Sequence, residues 1–116
     1  MARTNPQFFE SQTYYKTPTE LVNVDLDFAD DIPASDSIKA IGSTSGTTAS
    51  AVDSSNADAS STVIAVTVVS GTKVRVKLRS GVADEDYVIK ATAEMTTSGE
   101  KFDRYAKLKV RVAAYV

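Results

Sequence analysis

Cysteine, histidine and tryptophan are all absent from this chain of 116 residues. Without cysteine the chain has no disulfide framework and no thiolate ligand for a metal. Without histidine it lacks the commonest general base, the commonest zinc ligand and every Ser-His or Cys-His dyad. The sequence therefore predicts a protein that is not an enzyme, needs no cofactor and no metal, and has no small-molecule substrate.

Long apolar runs are missing as well. No run approaches the ~20 residues that a membrane span needs, and the first nine residues lack the apolar core of a signal peptide, which predicts a protein made in the cytosol. Residues 21–60 carry seven Asp against Lys39 alone, whereas residues 61–116 carry ten basic and six acidic residues. Neighbouring acidic and basic strands explain this split better than a nucleic-acid surface, because a chain of net charge −2 with interspersed acids does not suit a phosphate backbone.

The chain does contain repeated two-residue alternation. In residues 72–78, Val74, Val76 and Leu78 share one face and basic side chains occupy the other. A period of two is typical of a strand with one dry face and one wet face, and repeated with short turns it predicts an all-β antiparallel β-sandwich of six or seven strands. Strands are expected at residues 21–28, 36–41, 62–69, 72–78, 87–95 and 106–112, with a weak candidate at 47–52 inside a long exposed connection, 42–61.

The same alternation predicts the core. Its expected members are Val22, Val24, Leu26, Phe28, Val74, Val76, Leu78, Ile89, Ala91, Leu108 and Val110, with Ala106 and Val112 on the inward face of the last strand.

A tyrosine opens the strand after residues 80–86. Immunoglobulin-like sandwiches place a Tyr at the start of their penultimate strand, with its hydroxyl bonded back to the preceding corner. Gly81, Asp84 and Tyr87 fit that device. The inter-sheet disulfide and core Trp of antibody domains are missing, so an antibody-type domain is excluded.

Residues 1–20 differ from the remainder. They hold two prolines and four of the nine aromatic residues, namely Phe8, Phe9, Tyr14 and Tyr15. A solvated tail has few aromatics, so the segment is predicted to be an extended docking arm. Docking on a neighbouring molecule is favoured over folding back on its own domain. Residues 21–116 are predicted to form the sandwich.

Several stretches together resemble small immunoglobulin-like virion proteins of tailed phages, of the fibre–tail adaptor or neck-region type. They are residues 24–28, 31–33, 36–38, 67–74, 81–87 and 96–104. Lys77 departs from that pattern, since an aromatic often stands there. The resemblance implies an immunoglobulin-like fold and a structural role in the virion after assembly in the host cytoplasm. It also implies partners among other virion proteins (portal, adaptor, fibre or capsid) and copies of itself.

Three polar groups are further candidates for binding. The stripe Lys73, Arg75, Lys77 and Arg79 is either a binding face for an acidic partner or a solvated or edge-protecting face. Asp53, Asn56 and Asp58 could offer oxygens to calcium, but they lack the Gly and distal Glu of an EF-hand loop, which favours a solvated loop. Asp25 and Asp27 are expected to pair with Lys107 and Lys109 if the first strand lies beside the last.

Two classes of function follow. The first is a virion structural part, either an adaptor at the neck or fibre attachment or a capsid decoration protein. The second is a free-standing adhesin-like binding module. The aromatic arm favours the first class, because an adhesin binds through its loops.

Overall fold

The computed structural model describes residues 12–42 and 46–112. It contains seven strands and one short helix in this part of the chain. The strands are β1 (Gln12–Lys16), β2 (Val22–Asp27), β3 (Thr48–Asp53), β4 (Ile64–Ser70), β5 (Lys73–Leu78), β6 (Asp86–Glu94) and β7 (Lys101–Val110), and the single-turn helix α1 spans Ser60–Val63.

The strands form two sheets. The four-stranded sheet has the order β1-β7-β6-β3, and the three-stranded sheet has the order β2-β5-β4. All neighbours are antiparallel except β1 and β7, which are parallel. The inward faces of both sheets contribute to one hydrophobic cluster, so the predicted all-β sandwich is confirmed at the level of its two packed sheets.

The predicted core is confirmed for ten of its eleven members, which are buried, and Val22 is partly buried against the cluster. Ala106 is also buried as expected. Val112 is 66 % exposed, so its predicted inward position is wrong. The reason is that β7 ends at Val110 and the alternation of a strand does not continue beyond its ladder.

One strand assignment from the sequence is wrong. Residues 36–41 form isolated bridges, Ile38 with Met95 and Ile41 with Thr47, instead of a strand. The weak candidate at residues 47–52 is confirmed as β3, six residues long, whose Ala51 is buried against β6, so residues 42–61 are not one long exposed connection. Small residues carry little hydrophobic contrast, so a strand rich in Ala, Ser and Thr has a weak sequence pattern.

Part of the segment assigned to an arm belongs to the sandwich. β1 pairs along its full length with β7, from Gln12 opposite Ala106 to Lys16 opposite Val110. Lys16 is buried and Tyr14 packs against the core cluster. Backbone bonds to β7 and this burial hold residues 12–16 on their own domain. The arm prediction therefore concerns residues 1–11, which lie outside the described residues, and it stays a prediction.

Within the described ranges, no helix is both long and apolar enough to cross a membrane.

Candidate partner-binding surfaces

Tyr87 has the geometry that the sequence predicts for a corner. Its side chain is 3 % exposed, and its hydroxyl oxygen accepts a hydrogen bond of 2.9 Å from the backbone N–H of Val82. Tyr87 is the second residue of β6, directly after the connection from β5. The bond ties the connection to the strand that follows it, and it satisfies a backbone donor and a phenol together.

Further bonds attach this corner to the last and first strands. The N–H of Asp84 donates to the carbonyl of Val110 at 2.8 Å, and the N–H of Val110 donates to Glu85 at 3.0 Å. The ammonium of Lys16 donates to the carbonyls of Ser80 and Thr17. Burial lowers the pKa of Lys16, while the nearby Glu20 carboxylate acts in the opposite direction. Lys16 thus joins the end of β1 to the corner, a role with no motif in the sequence.

Gly81 is required in this corner for two reasons. Its φ is +97°, a conformation that residues with a side chain rarely adopt. A Cβ at this position would lie 2.8 Å from Cγ2 of Val110 and 3.5 Å from the ring of Tyr87. Asp84 also has a positive φ, +65°, which an Asp tolerates better than most residues. These residues therefore shape the corner.

The basic stripe has Lys73, Arg75 and Lys77 on the outward face of β5, with Arg79 just beyond its end. Because β5 is the central strand of its sheet, the stripe does not protect an edge. Arg75 forms a bidentate pair with Asp25, with nitrogen–oxygen distances of 2.8 and 3.1 Å. Arg79 donates to the carbonyl of Ser61 at 2.8 Å. The Arg75 guanidinium lowers the pKa of Asp25, and Asp25 in turn raises the pKa of Arg75.

The expected pairing of Asp25 and Asp27 with Lys107 and Lys109 is wrong. β2 lies beside β5 rather than β7, so these acids face the basic stripe of the other strand. Asp27 accepts bonds from the N–H of Ala29 and the hydroxyl of Thr72. Lys109 lies 3.7 Å from Asp86. Strand pairing is a tertiary property, and the alternation within each strand does not contain it.

Among the described residues, a hollow lies on the outward face of each sheet. One, of about 220 Å³ on the four-stranded sheet, is lined by acids as well as bases, including Asp53, Asp86, Lys107 and Lys109. The other, of about 250 Å³, is lined by Asn23, Val66, Val68, Arg75 and Lys77 and contains no acidic residue. The second hollow therefore combines apolar surface with positive charge.

The exposure of Val66 and Val68 was not predicted from the sequence. Their exposed fractions are 51 % and 42 %, because β4 turns Thr67 and Val69 toward the core side instead. Every residue of β4 is β-branched or small, so side-chain type does not show which residues of the strand face inward. The uncharged sequence of β4 gives no signal of an exposed edge, since edge strands usually carry charge or proline.

An ion pair of Asp31 and Arg104 was also missed. Their charged atoms are 2.7 Å apart, and only 1 % of the Asp31 side chain and 16 % of the Arg104 side chain are exposed. The guanidinium carbon of Arg104 also lies 5.6 Å from the ring centroid of Phe28. Asp31 falls just beyond β2 and Arg104 within β7, so the pair connects the two sheets and has a structural role.

Asp36 stabilises the turn between β6 and β7, which lies far from it in the sequence. Its carboxylate accepts backbone N–H bonds from Thr97 at 2.9 Å, Ser98 at 3.1 Å and Ser37 at 2.8 Å. These donors, with Thr97 as the largest contribution, lower the pKa of Asp36 to about 2. The carboxylate fastens the β6–β7 turn to the segment that crosses between the sheets.

The calcium candidates form an internally bonded turn. Asp53 accepts the N–H groups of Ser55 and Ala57, and Asp58 accepts both polar hydrogens of Ser60, whose hydroxyl and backbone N–H lower its pKa. No group of three or more potential metal-ligating side chains occurs in the ranges that the structure describes.

Of the four aromatic residues predicted to bind a partner, the structure describes Tyr14 and Tyr15. Tyr15 is 61 % exposed on β1, whereas Tyr14 is partly buried and its hydroxyl donates to the side-chain oxygen of Gln12. Burial raises the pKa of Tyr14, and the Asp25 carboxylate adds to the effect. Phe8 and Phe9 lie outside the described residues. Of the two described aromatics Tyr15 is therefore the exposed one, and the binding role of Phe8 and Phe9 stays a prediction.

Comparison with family models finds no match for this chain, and neither does comparison with curated proteins or with solved structures.

Proposed function

We propose that this chain is an immunoglobulin-like, non-enzymatic structural component of a tailed-phage virion. It serves as an adaptor at the head–tail neck or at the tail-fibre attachment, and it docks through the N-terminal segment that contains Phe8 and Phe9. Other virion proteins and further copies of the chain are its partners.

Strand order supports the immunoglobulin-like part of the proposal. In such domains the third, sixth and seventh strands form one sheet, and the first, second, fifth and fourth strands form the other. The orders β7-β6-β3 and β2-β5-β4 match this arrangement for six strands, whereas β1 departs from it by pairing in parallel with β7. The observation that carries the proposal is Tyr87 at the start of the sixth strand, bonded to Val82 as in a tyrosine corner.

The virion role is supported by the resemblance carried on residues 24–104 and by the aromatic residues that precede β1. An extended segment can dock on a neighbour by adding a strand or by filling pockets with alternate side chains. Aromatic anchors usually dominate the energy of such contacts.

The position of β1 defines the best truncation for a test. Deletion of residues 1–20 would remove β1 and the buried Lys16, and would therefore perturb the fold itself. Deletion of residues 1–11 leaves every described strand in place. The truncated chain should unfold at nearly the same temperature as the full chain and should no longer join the particle.

The double variant Phe8→Ala/Phe9→Ala tests the same segment without truncation. It should reduce incorporation more than Lys73→Gln with Lys77→Gln, a matched pair of changes on the displayed face. Quantitative mass spectrometry of purified particles measures the copies of each variant. About six or twelve copies of the full chain per particle would fit a neck or fibre adaptor of cyclic symmetry, and hundreds would identify a capsid decoration protein instead.

Incorporation of the 1–11 deletion at the level of the full chain would show that the sandwich carries the interface, and the docking segment would have to be abandoned. A chain that is never found in particles would refute the virion role and leave the adhesin-like module as the alternative.

A further inference from the structure

The outward face of the three-stranded sheet is organised in rows. Across the register, one row joins Asp27, Lys73 and Ser70, the next joins Asp25, Arg75 and Val68, and the third joins Asn23, Lys77 and Val66. Each row thus runs from β2 through a basic residue of β5 to an uncharged residue of β4.

The third row differs from the other two in its charge. Asp27 and Asp25 stand opposite Lys73 and Arg75, but an uncharged Asn23 stands opposite Lys77. Within the described part of the chain, Lys77 has no ion-pair partner, whereas Arg75 is paired with Asp25 at 2.8 Å. An exposed cation without a paired acid is therefore present beside the exposed Val66.

This row borders the free edge of its sheet. β4 lies at the end of the order β2-β5-β4, and among the described residues no strand pairs with its other side. Its seven residues contain no charge and no proline, the features by which exposed edges usually avoid pairing. The 250 Å³ hollow extends from this edge across Val66 and Val68 to Lys77 and Asn23.

We propose that the β4 edge and this hollow bind an extended acidic segment of another protein. The segment adds a strand beside β4, where backbone hydrogen bonds provide affinity and side chains provide specificity. A carboxylate on its outward face reaches over Val66 to the ammonium of Lys77, and the apolar stems of both side chains cover the valines.

Charge selects this occupant over a second copy pairing through its own β4. Residues 64–70 contain no acid that could pair with Lys77. A two-fold pairing of β4 strands would also bring the basic stripes of both copies toward one surface of valine side chains. The inference goes beyond the virion role and does not depend on it, since it is argued from β2, β4 and β5 alone.

The test uses a synthetic peptide, Thr-Val-Glu-Val-Glu-Val-Thr with blocked ends, added to the full-length chain labelled with nitrogen-15. The expected result is saturable chemical-shift change at β4 and Lys77, with slowed hydrogen exchange of the β4 amides that do not bond to β5. A peptide with Lys in place of each Glu should bind more weakly, and the difference should shrink at high salt because exposed charges are screened.

Asn23→Asp gives the sharpest variant, because it supplies the missing acid with almost no change of shape at an exposed position. It should weaken binding of the acidic peptide roughly two- to fivefold, as should Lys77→Gln, in line with an exposed ion pair. Lys107→Gln removes one charge from an exposed position of the other sheet and should leave the affinity unchanged.

Three results would overturn the proposal. One is equal binding of the acidic and basic peptides, and another is shift changes confined to β1 or β3. The third is protection in the free chain of the β4 amides that do not bond to β5, which would mean that a second copy or a segment of the same chain occupies the edge. The sedimentation coefficient would tell these two apart. None of these results bears on incorporation of the 1–11 deletion into particles.

Discussion

The hydroxyl of Tyr87 can be removed without changing the ring, by the substitution Tyr87→Phe. The ring is 3 % exposed and should keep its packing in the core. The substitution abolishes the 2.9 Å bond that the hydroxyl oxygen accepts from the N–H of Val82. The variant therefore isolates the contribution of the corner bond from that of the buried ring.

The size of the effect depends on whether the N–H of Val82 finds another acceptor once the hydroxyl is removed. A neutral hydrogen bond contributes about 0.5–1.5 kcal/mol net to stability, and a donor left buried without a partner costs more. The side chain of Val82 is 63 % exposed, so water can approach this part of the corner and satisfy the released N–H. We therefore expect a loss of about 1 kcal/mol in the free energy of unfolding, or about 4 °C in Tm.

Urea unfolding followed by far-UV circular dichroism measures this loss. The matched control is Tyr105→Phe, because the Tyr105 hydroxyl has no hydrogen bond within the described residues and the ring is 37 % exposed. The control should change stability by less than about 0.5 kcal/mol. Equal stability of the two variants would refute the reasoning, since it would mean that the corner bond has no net value.

Three other predictions concern single positions. Gly81→Ala should destabilise the chain well beyond Gly71→Ala, although both have positive φ, because a Cβ meets Val110 at 2.8 Å in the first case and nothing within 4 Å in the second; thermal melts of the two variants compare them directly. Asp36→Asn should lower the urea midpoint at neutral pH. Because folding lowers the pKa of Asp36 from 3.8 to about 2, its stabilisation is complete above the ordinary pKa and is lost as the pH falls through about 2, so the two midpoints should converge there; a constant difference down to that pH would contradict this. Val76→Asp should cost at least about 3 kcal/mol by burying an unpaired charge, whereas Val68→Asp on the outward face should cost far less; comparable melting temperatures would show that the assignment of faces is wrong.

Much of the fold could be predicted because side-chain alternation is a local property. Val74, Val76 and Leu78 alternate with basic residues, and this alone assigns their faces. The corner was predictable for a related reason. A glycine, a turn-forming acid and a tyrosine at the start of a strand are close in sequence, so their bond depends on one short segment.

The weakly predicted strand β3 and the unpredicted strand β1 depend on contacts between distant segments. β3 has a weak pattern, and its ladder with β6 makes it a strand. β1 has few inward apolar residues, and its pairing with β7 and the burial of Lys16 place it in the sandwich. The paired strands lie far apart in the sequence, so patterns within a short segment could not assign β1 and β3 to the sheet.

The sequence by itself determined that the chain is all-β, which residues of its strong strands face inward and where its tyrosine corner lies. These features arise from backbone periodicity and short-range turn chemistry. Only the tertiary structure decided that β2 pairs with β5, which sets Asp25 against Arg75 and leaves Lys77 opposite Asn23. Strand register brings together side chains that are about fifty residues apart, and the unpaired charge exists only once that register is formed.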